Sequence, residues 1–204
     1  MLWMITDFTK TPDVEKAYTY ISKMINAGVN KVLLRNKSLI FNEKMVYQLA
    51  GKLAANFPEN EIFVPESPSI AEMSGANAIH LPSTALLLIK ELRETYPDFL
   101  ISVSTHSLKE FEKAFIDGAD YAFYSPIFPP ISKPDDRRKN LSPIKRKNLY
   151  LLGGIDKIAA LSLIEKGFTN LAGISLFYEE NAAETVEFLT NRIEEKENDK
   201  NDSD

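Results

Sequence analysis

The chain has 204 residues, of which 44% are hydrophobic and 26% charged, a composition typical of one globular domain with a sizeable core. A net charge of −5 argues against a nucleic-acid-binding protein, and the absence of cysteine excludes a disulfide framework and a thiol nucleophile. No apolar run reaches the length of about 18 residues that a membrane span needs, so we expect a cytoplasmic protein without membrane partners.

Short apolar segments alternate along the chain with longer amphipathic ones. The short segments are apolar on both faces, as is typical of buried parallel strands. Helical periodicity between them is clearest at residues 14–27 and 107–117. The predicted strands lie at residues 2–6, 31–35, 61–64, 78–81, 100–104, 121–125, 149–153 and 171–175.

A glycine at a predicted helix end precedes every second strand: Gly28, Gly75, Gly118 and Gly167. This repeat indicates four similar quarters, so the fold class that we predict is α/β, a single (β/α)8 TIM barrel over residues 1–193. An open doubly wound sheet is the alternative, but eight strands without a long edge segment favour closure. The polar residues 194–204 are predicted to form a disordered tail.

We expect the functional residues to follow the strands, because the loops after the strands of such a barrel form one mouth. Gly153 and Gly154 end the seventh strand, and there the backbone N–H groups and a following helix could hold an anion. Ser175 ends the eighth strand. We therefore predict a phosphate site at Gly153, Gly154 and Ser175, with a simple tight turn as the alternative reading of the diglycine.

Cationic and basic side chains follow other strands. Arg35 and Lys37 end the second strand and could bind a second anion such as a diphosphate, or be ordinary surface charge. Lys133 could reach the mouth from the long loop 126–145. His106 follows the fifth strand and is either an acid–base residue or a structural one, whereas His80 lies within an apolar strand and is expected to be structural.

Six segments at or near the predicted strands carry recognisable motifs: MITD (4–7), LLRNKS (33–38), NAIHLP (77–82), VSTHS (103–107), GADYAFYSPIFPPISKP (118–134) and LLGGI (151–155). Together they resemble the thiamine phosphate synthase and thiazole tautomerase superfamily of small (β/α)8 barrels, over nearly the whole chain. The most specific resemblance is the long run GADYAFYSPIFPPISKP.

The resemblance implies a transferase of thiamine biosynthesis that joins hydroxymethylpyrimidine diphosphate to a thiazole phosphate and releases diphosphate. Its substrates would be small and phosphorylated, Mg²⁺ would be the cofactor, and a homodimer is left open. It implies that Arg35 and Lys37 hold the diphosphate and that Ser104 lies near the leaving group. The thiazole phosphate would be held by Ser132, Lys133, Gly154 and Ser175.

The chain departs from the family pattern at defined positions. Glu66 and Ala85 stand where the two magnesium-binding aspartates are expected, which leaves Glu66 as the metal-ligand candidate. Leu33 replaces a glutamine, and Pro126 replaces the histidine of the tautomerase branch. Two alternatives to the transferase therefore stay open: a tautomerase-like isomerase with another base, such as His106 or Glu66, and a non-catalytic binder of thiazole phosphate or thiamine phosphate.

Overall fold

The computed structural model describes residues 1–37, 41–128 and 148–201. Every predicted strand is present, with bounds that differ from the prediction by two residues at most. The strands are β1 (Leu2–Ile5), β2 (Val29–Leu33), β3 (Glu61–Pro65), β4 (Ala78–Leu81), β5 (Leu100–Thr105), β6 (Tyr121–Tyr124), β7 (Leu149–Leu152) and β8 (Leu171–Gly173).

The strands form a closed parallel barrel in chain order. The barrel closes where β8 pairs with β1, with Leu2 opposite Leu171 and Met4 opposite Gly173. A closed ring leaves no unpaired sheet edge. The predicted (β/α)8 barrel is confirmed, and the open doubly wound alternative is wrong.

Helices connect the strands on the outside of the barrel. The two helices predicted at 14–27 and 107–117 are confirmed, and each begins after a side-chain cap: Asp13 accepts from the Lys16 N–H and Ser107 from the Glu110 N–H. Short 3-10 segments lie at Ser83–Leu88 and Ser175–Phe177. The α-helices of the described residues are α1 (Val14–Asn26), α2 (Glu43–Asn56), α3 (Pro68–Met73), α4 (Ile89–Thr95), α5 (Leu108–Ile116), α6 (Lys157–Glu165) and α7 (Ala182–Asn201).

Aromatic rings fill the inside of the barrel. The indole of Trp3 lies with its centroid 4.5 Å from the ring of Phe63, 4.7 Å from Phe123 and 4.8 Å from Tyr150. At the strands' N-terminal ends the buried Lys31 pairs with Glu61. The interior is therefore a packed core rather than a pore, and a ligand has to bind at the mouth.

The C-terminal segment corrects one prediction. Residues 194–201, predicted to be disordered, continue α7 as far as Asn201. Buried Ile193 anchors the preceding turn, and Arg192 pairs with Glu195 one turn on. The Glu and Lys residues of this segment are good helix formers, so a helix already anchored on the barrel can continue through it. Residues 202–204 lie outside the described residues.

No helix in the described part of the chain combines the length and the apolar character needed to cross a membrane.

Candidate active site at the barrel mouth

The parallel, closed barrel brings the C-terminal ends of all eight strands to one face. The predicted site residues that the structure describes therefore surround one mouth, although they come from five different strands. Ser104 lies within β5, and the others follow the ends of their strands by one to four residues: Arg35, Lys37, Glu66, His106, Gly153, Gly154 and Ser175. Ser132 and Lys133 lie outside the described residues.

A cavity of about 420 Å³ opens between the ends of β7, β8 and β1. It brings together Gly153, Gly154 and Ser175, the three described residues that were predicted to bind one phosphate. Arg35 and Lys37 do not line it. The remaining lining residues are Asp7, Lys10, Leu152, Ile155, Gly173, Ile174, Tyr178 and Glu179.

Lys10 is a cavity residue that the sequence analysis missed. It lies in the loop after β1, where its backbone N–H donates to the Asp7 carbonyl oxygen, 3.0 Å away. The Asp7 carboxylate accepts from the N–H of Thr9 at 3.1 Å and from its hydroxyl at 2.7 Å, which fixes this turn. No recognisable motif surrounds Lys10, so its place shortly after the first strand was the only sign in the sequence that it could reach the mouth.

Tyr178 closes the cavity from the other side. Its hydroxyl accepts the Asp7 N–H at 3.0 Å, and its ring stacks on Tyr20 at 5.1 Å. Burial raises the pKa of Tyr178 to about 12, so the phenol stays neutral and cannot repel an anion. Asp7 and Glu179 also line the cavity, so Lys10 is the single cation beside two carboxylates among its described lining residues.

The diglycine turn has a role in packing that the sequence did not indicate. Gly153 and Gly154 have φ of 106° and 64°, and a Cβ on Gly154 would lie 2.8 Å from the Cβ of Phe128. The Ile127 N–H donates to the Leu152 carbonyl oxygen at 3.0 Å. The two glycines thus let the segment that leaves β6 lie directly against the end of β7.

The helix after the diglycine begins three residues beyond Gly154 and is already capped by a side chain. α6 starts at Lys157, and the Asp156 carboxylate accepts the Ala159 N–H at 2.8 Å. This carboxylate occupies part of the positive helix terminus that a phosphate would use. The backbone N–H groups around Gly153 and Gly154 are therefore better candidates for anion binding than the terminus of α6.

The two predicted diphosphate ligands lie after β2. Arg35 is half-buried, and its carbonyl oxygen accepts from the hydroxyl of the buried Thr6, 3.4 Å away. Lys37 is exposed. The backbone of Arg35 thus lies close to the end of β1, one of the three strands between which the cavity opens.

His106 is exposed at the mouth and joins the ends of β5 and β6. Its Nδ1 lies 3.0 Å from the carbonyl oxygen of Ser125, and its backbone N–H donates to the Glu110 carboxylate at 2.6 Å. A carbonyl oxygen can only accept, so Nδ1 carries a proton and donates it. His106 therefore links the loop after β5 to the residue that follows β6.

His80, by contrast, is buried within the barrel and makes the hydrogen bonds expected of a histidine in an apolar strand. Its ring lies inside the barrel, between Ser102 Oγ at 2.9 Å and Ser104 Oγ at 3.0 Å. Burial lowers the pKa of His80 to about 3, which keeps the imidazole neutral at physiological pH. Ser104 therefore forms a hydrogen bond with the buried His80 and is also partly exposed at the mouth.

Glu66 is exposed after β3, with φ of 53° and its backbone N–H donating to the His80 carbonyl oxygen at 3.0 Å. Ala85, in the other family metal position, has no donor atom. Among residues 1–37, 41–128 and 148–201, no three His, Asp or Glu side chains are grouped so that they could hold a metal ion. Mg²⁺ is usually held by one or two carboxylates together with substrate phosphates and water, and Glu66 is the one carboxylate at the two family metal positions.

The fold and the cavity define the class: a single (β/α)8 barrel with its candidate active site at the C-terminal ends of the strands. The chain belongs to the thiamine monophosphate synthase family, whose model matches residues 2–177. This match includes every predicted site residue.

Individual relatives agree with this assignment. The chain is 30% identical over 188 residues to the "Putative thiamine-phosphate synthase 2" of Aquifex aeolicus, covering 87% of this chain and 97% of that protein. It is also 30% identical to the thiamine-phosphate synthase of Anoxybacillus flavithermus, covering 83% and 80% of the two chains. A solved thiamine phosphate pyrophosphorylase from Pyrococcus furiosus has the same fold, with a TM-score of 0.76, 24% identity and 96% coverage of both chains.

Proposed function

We propose that this protein is a thiamine-phosphate synthase, which joins hydroxymethylpyrimidine diphosphate to thiazole phosphate and releases diphosphate. The observation that carries the proposal is the cavity between β7, β8 and β1, where Gly153, Gly154 and Ser175 meet within a chain of this family. Relatives that share most of their length with this chain carry the same activity in their names.

The thiazole phosphate would enter this cavity. Backbone N–H groups of the diglycine turn and the Ser175 hydroxyl would donate to its oxygens, and the Lys10 ammonium would offset its charge. Lys10 matters for the charge balance, because Asp7 and Glu179 reach the same space. A phosphate fixed here would place the thiazole ring over the mouth, towards the ligands that follow β2.

The diphosphate of the second substrate would lie near Arg35 and Lys37. Breaking the bond between the pyrimidine methylene carbon and the diphosphate oxygen leaves positive charge on carbon and negative charge on the leaving group. A guanidinium and an ammonium can neutralise that leaving group, after which the thiazole nitrogen forms the new carbon–nitrogen bond.

The deciding experiment incubates the purified chain with both substrates and measures thiamine phosphate and diphosphate, with Mg²⁺ and with chelator. We expect both products in equal amounts. The matched control is an Arg35→Gln variant, which should retain thiazole phosphate binding and lose turnover. Saturable binding of thiazole phosphate without product under either condition would reject the proposal in favour of a non-catalytic binder. Magnesium dependence, a homodimer and a cytoplasmic location stay predictions.

A further inference from the structure

A buried histidine connects the mouth to the barrel interior. His80 in β4 is 8% exposed, and its ring packs 4.9 Å from the ring of Phe123. Its two nitrogens lie at 2.9 Å and 3.0 Å from the hydroxyls of Ser102 and Ser104, which are alternate residues of β5. Ser102 is fully buried, whereas Ser104 is partly exposed at the mouth.

The protons in the hydrogen bonds among His80, Ser102 and Ser104 can be counted. A neutral imidazole has one donor and one acceptor nitrogen, so one serine must accept from it and the other must donate to it. Ser102 Oγ also lies 3.3 Å from the Ile79 carbonyl oxygen, which can only accept. If Ser102 donates its single proton there, it must accept from His80 Nδ1, and His80 Nε2 is then the acceptor of the Ser104 proton.

The opposite arrangement is less favourable. With the proton on Nε2, Ser102 would have to donate to Nδ1, and its oxygen would then face the Ile79 carbonyl oxygen at 3.3 Å without a proton between them. Such a contact between two buried acceptors is repulsive. The geometry therefore selects the tautomer with the proton on Nδ1.

We propose that His80 is a positioning residue that turns the Ser104 proton inward, so that Ser104 presents only lone pairs to the mouth and accepts a hydrogen bond from an N–H or O–H group of the ligand. The Ser104 hydroxyl then selects a ligand donor. An anionic phosphate oxygen at the same place would have to draw the proton away from the buried Nε2 and leave that nitrogen without its donor.

The identity of the ligand rests on the proposed function. Hydroxymethylpyrimidine diphosphate carries an amino group, which is a donor of the required kind, and a diphosphate, which has only acceptors. Ser104 would therefore contact the pyrimidine amino group. This differs from the expectation, implied by the family resemblance, that Ser104 lies near the leaving group.

The tautomer can be measured without any activity. The chain has two histidines, so nitrogen NMR of the ¹⁵N-histidine-labelled full chain gives two ring systems, which a His106→Gln variant assigns. We expect His80 to be protonated on Nδ1 alone, with the same pattern between about pH 5 and 8. A proton on Nε2, or a doubly protonated ring, would overturn the inference.

The ligand partner is tested by a two-by-two comparison. Wild type and Ser104→Ala are titrated with the pyrimidine diphosphate and with an analogue in which hydrogen replaces the amino group. We expect wild type to prefer the amino compound by about tenfold and Ser104→Ala to bind the two about equally. Inorganic diphosphate should bind both proteins alike and leave the His80 tautomer unchanged.

Two results of this comparison would overturn the inference: diphosphate that binds Ser104→Ala more weakly than wild type, or an amino preference that survives in the variant. The tests also separate this inference from the proposed function. A chain that forms no thiamine phosphate but shows the Nδ1 tautomer and the amino preference would refute the proposed function alone.

Discussion

Phe128 donates its backbone N–H to the carbonyl oxygen of Gly153, 3.1 Å away, so the segment that leaves β6 is attached to the diglycine turn at the end of β7. The same turn lines the cavity in which we place the thiazole phosphate. A change in the diglycine should therefore affect both the packing of this segment and the binding of the phosphate.

We expect Gly154→Ala to raise the KM for thiazole phosphate by at least about tenfold, because its Cβ would meet the Cβ of Phe128 at 2.8 Å. Gly75→Ala is the matched control: Gly75 also has positive φ, 74°, but a Cβ added there would meet only open space. The unfavourable φ should cost each variant about 1 kcal/mol of unfolding free energy, and Gly154→Ala should lose more because its Cβ also meets Phe128. An unchanged KM in Gly154→Ala would show that the phosphate does not bind at this turn.

Lys10→Gln should also raise the KM for thiazole phosphate, by roughly tenfold at low salt and less at high salt, because an exposed cation is screened by ions. The control is Lys16→Gln on α1, whose partner is Asp13 at 3.1 Å, away from the cavity. Steady-state kinetics at two ionic strengths measure both. If the two variants behave alike, Lys10 is not a phosphate ligand.

Arg35→Lys should lower kcat/KM for the pyrimidine diphosphate by about tenfold or more, although the charge is kept, because an ammonium cannot make the paired hydrogen bonds of a guanidinium. Arg192→Lys on α7 serves as the control, since Arg192 pairs with Glu195 on the outer surface. Wild-type kinetics in Arg35→Lys would place the diphosphate elsewhere.

The lowered pKa of His80 should make the free energy of unfolding depend on pH. Burial lowers the pKa of His80 to about 3 in the folded chain, against an unfolded value of about 6.5. Between these values the unfolded chain binds the extra proton, so the free energy of unfolding falls as pH drops from about 6.5 towards 3, by up to a few kcal/mol. His80→Gln should flatten this pH dependence, as measured by urea unfolding, whereas His106→Gln should retain it.

Glu66→Gln tests the single carboxylate that remains at the family's metal positions. If Glu66 and the substrate phosphates together hold Mg²⁺, the variant should require about tenfold more Mg²⁺ for half-maximal rate, with little change at saturation. Glu72→Gln, an exposed change on α3, is the control. Identical Mg²⁺ titrations of wild type and Glu66→Gln would exclude Glu66 as a metal ligand.

The fold could be predicted because local and periodic signals in the chain agree with one another. The strand segments are apolar on both faces, and Gly28, Gly75, Gly118 and Gly167 all adopt the positive φ expected after a helix. The tail prediction failed because composition describes the polar residues 194–201 in isolation, whereas in the structure they extend a helix anchored by Ile193.

The candidate site was predictable only where a motif marked it. The structure brings the diglycine and Ser175 together in one cavity, because the position of a residue along a barrel strand fixes which end of the barrel it reaches; their predicted role as phosphate ligands stays a prediction. Lys10 and Tyr178 carry no motif, and their part in the site depends on β8 closing against β1. Ser132 and Lys133 lie outside the described residues, so their predicted role stays a prediction.

The sequence by itself determined the barrel, its family and the strand ends around which the site is built, because these depend on short-range patterns that each segment carries. Only the tertiary structure decided which distant residues meet. Ser104 forms a hydrogen bond with His80, Phe128 packs against the diglycine, and Lys10 lines the same cavity as Ser175. Hydrogen bonds and excluded volume act over a few ångströms, and the sequence does not specify which distant residues come within that range until the ring is closed.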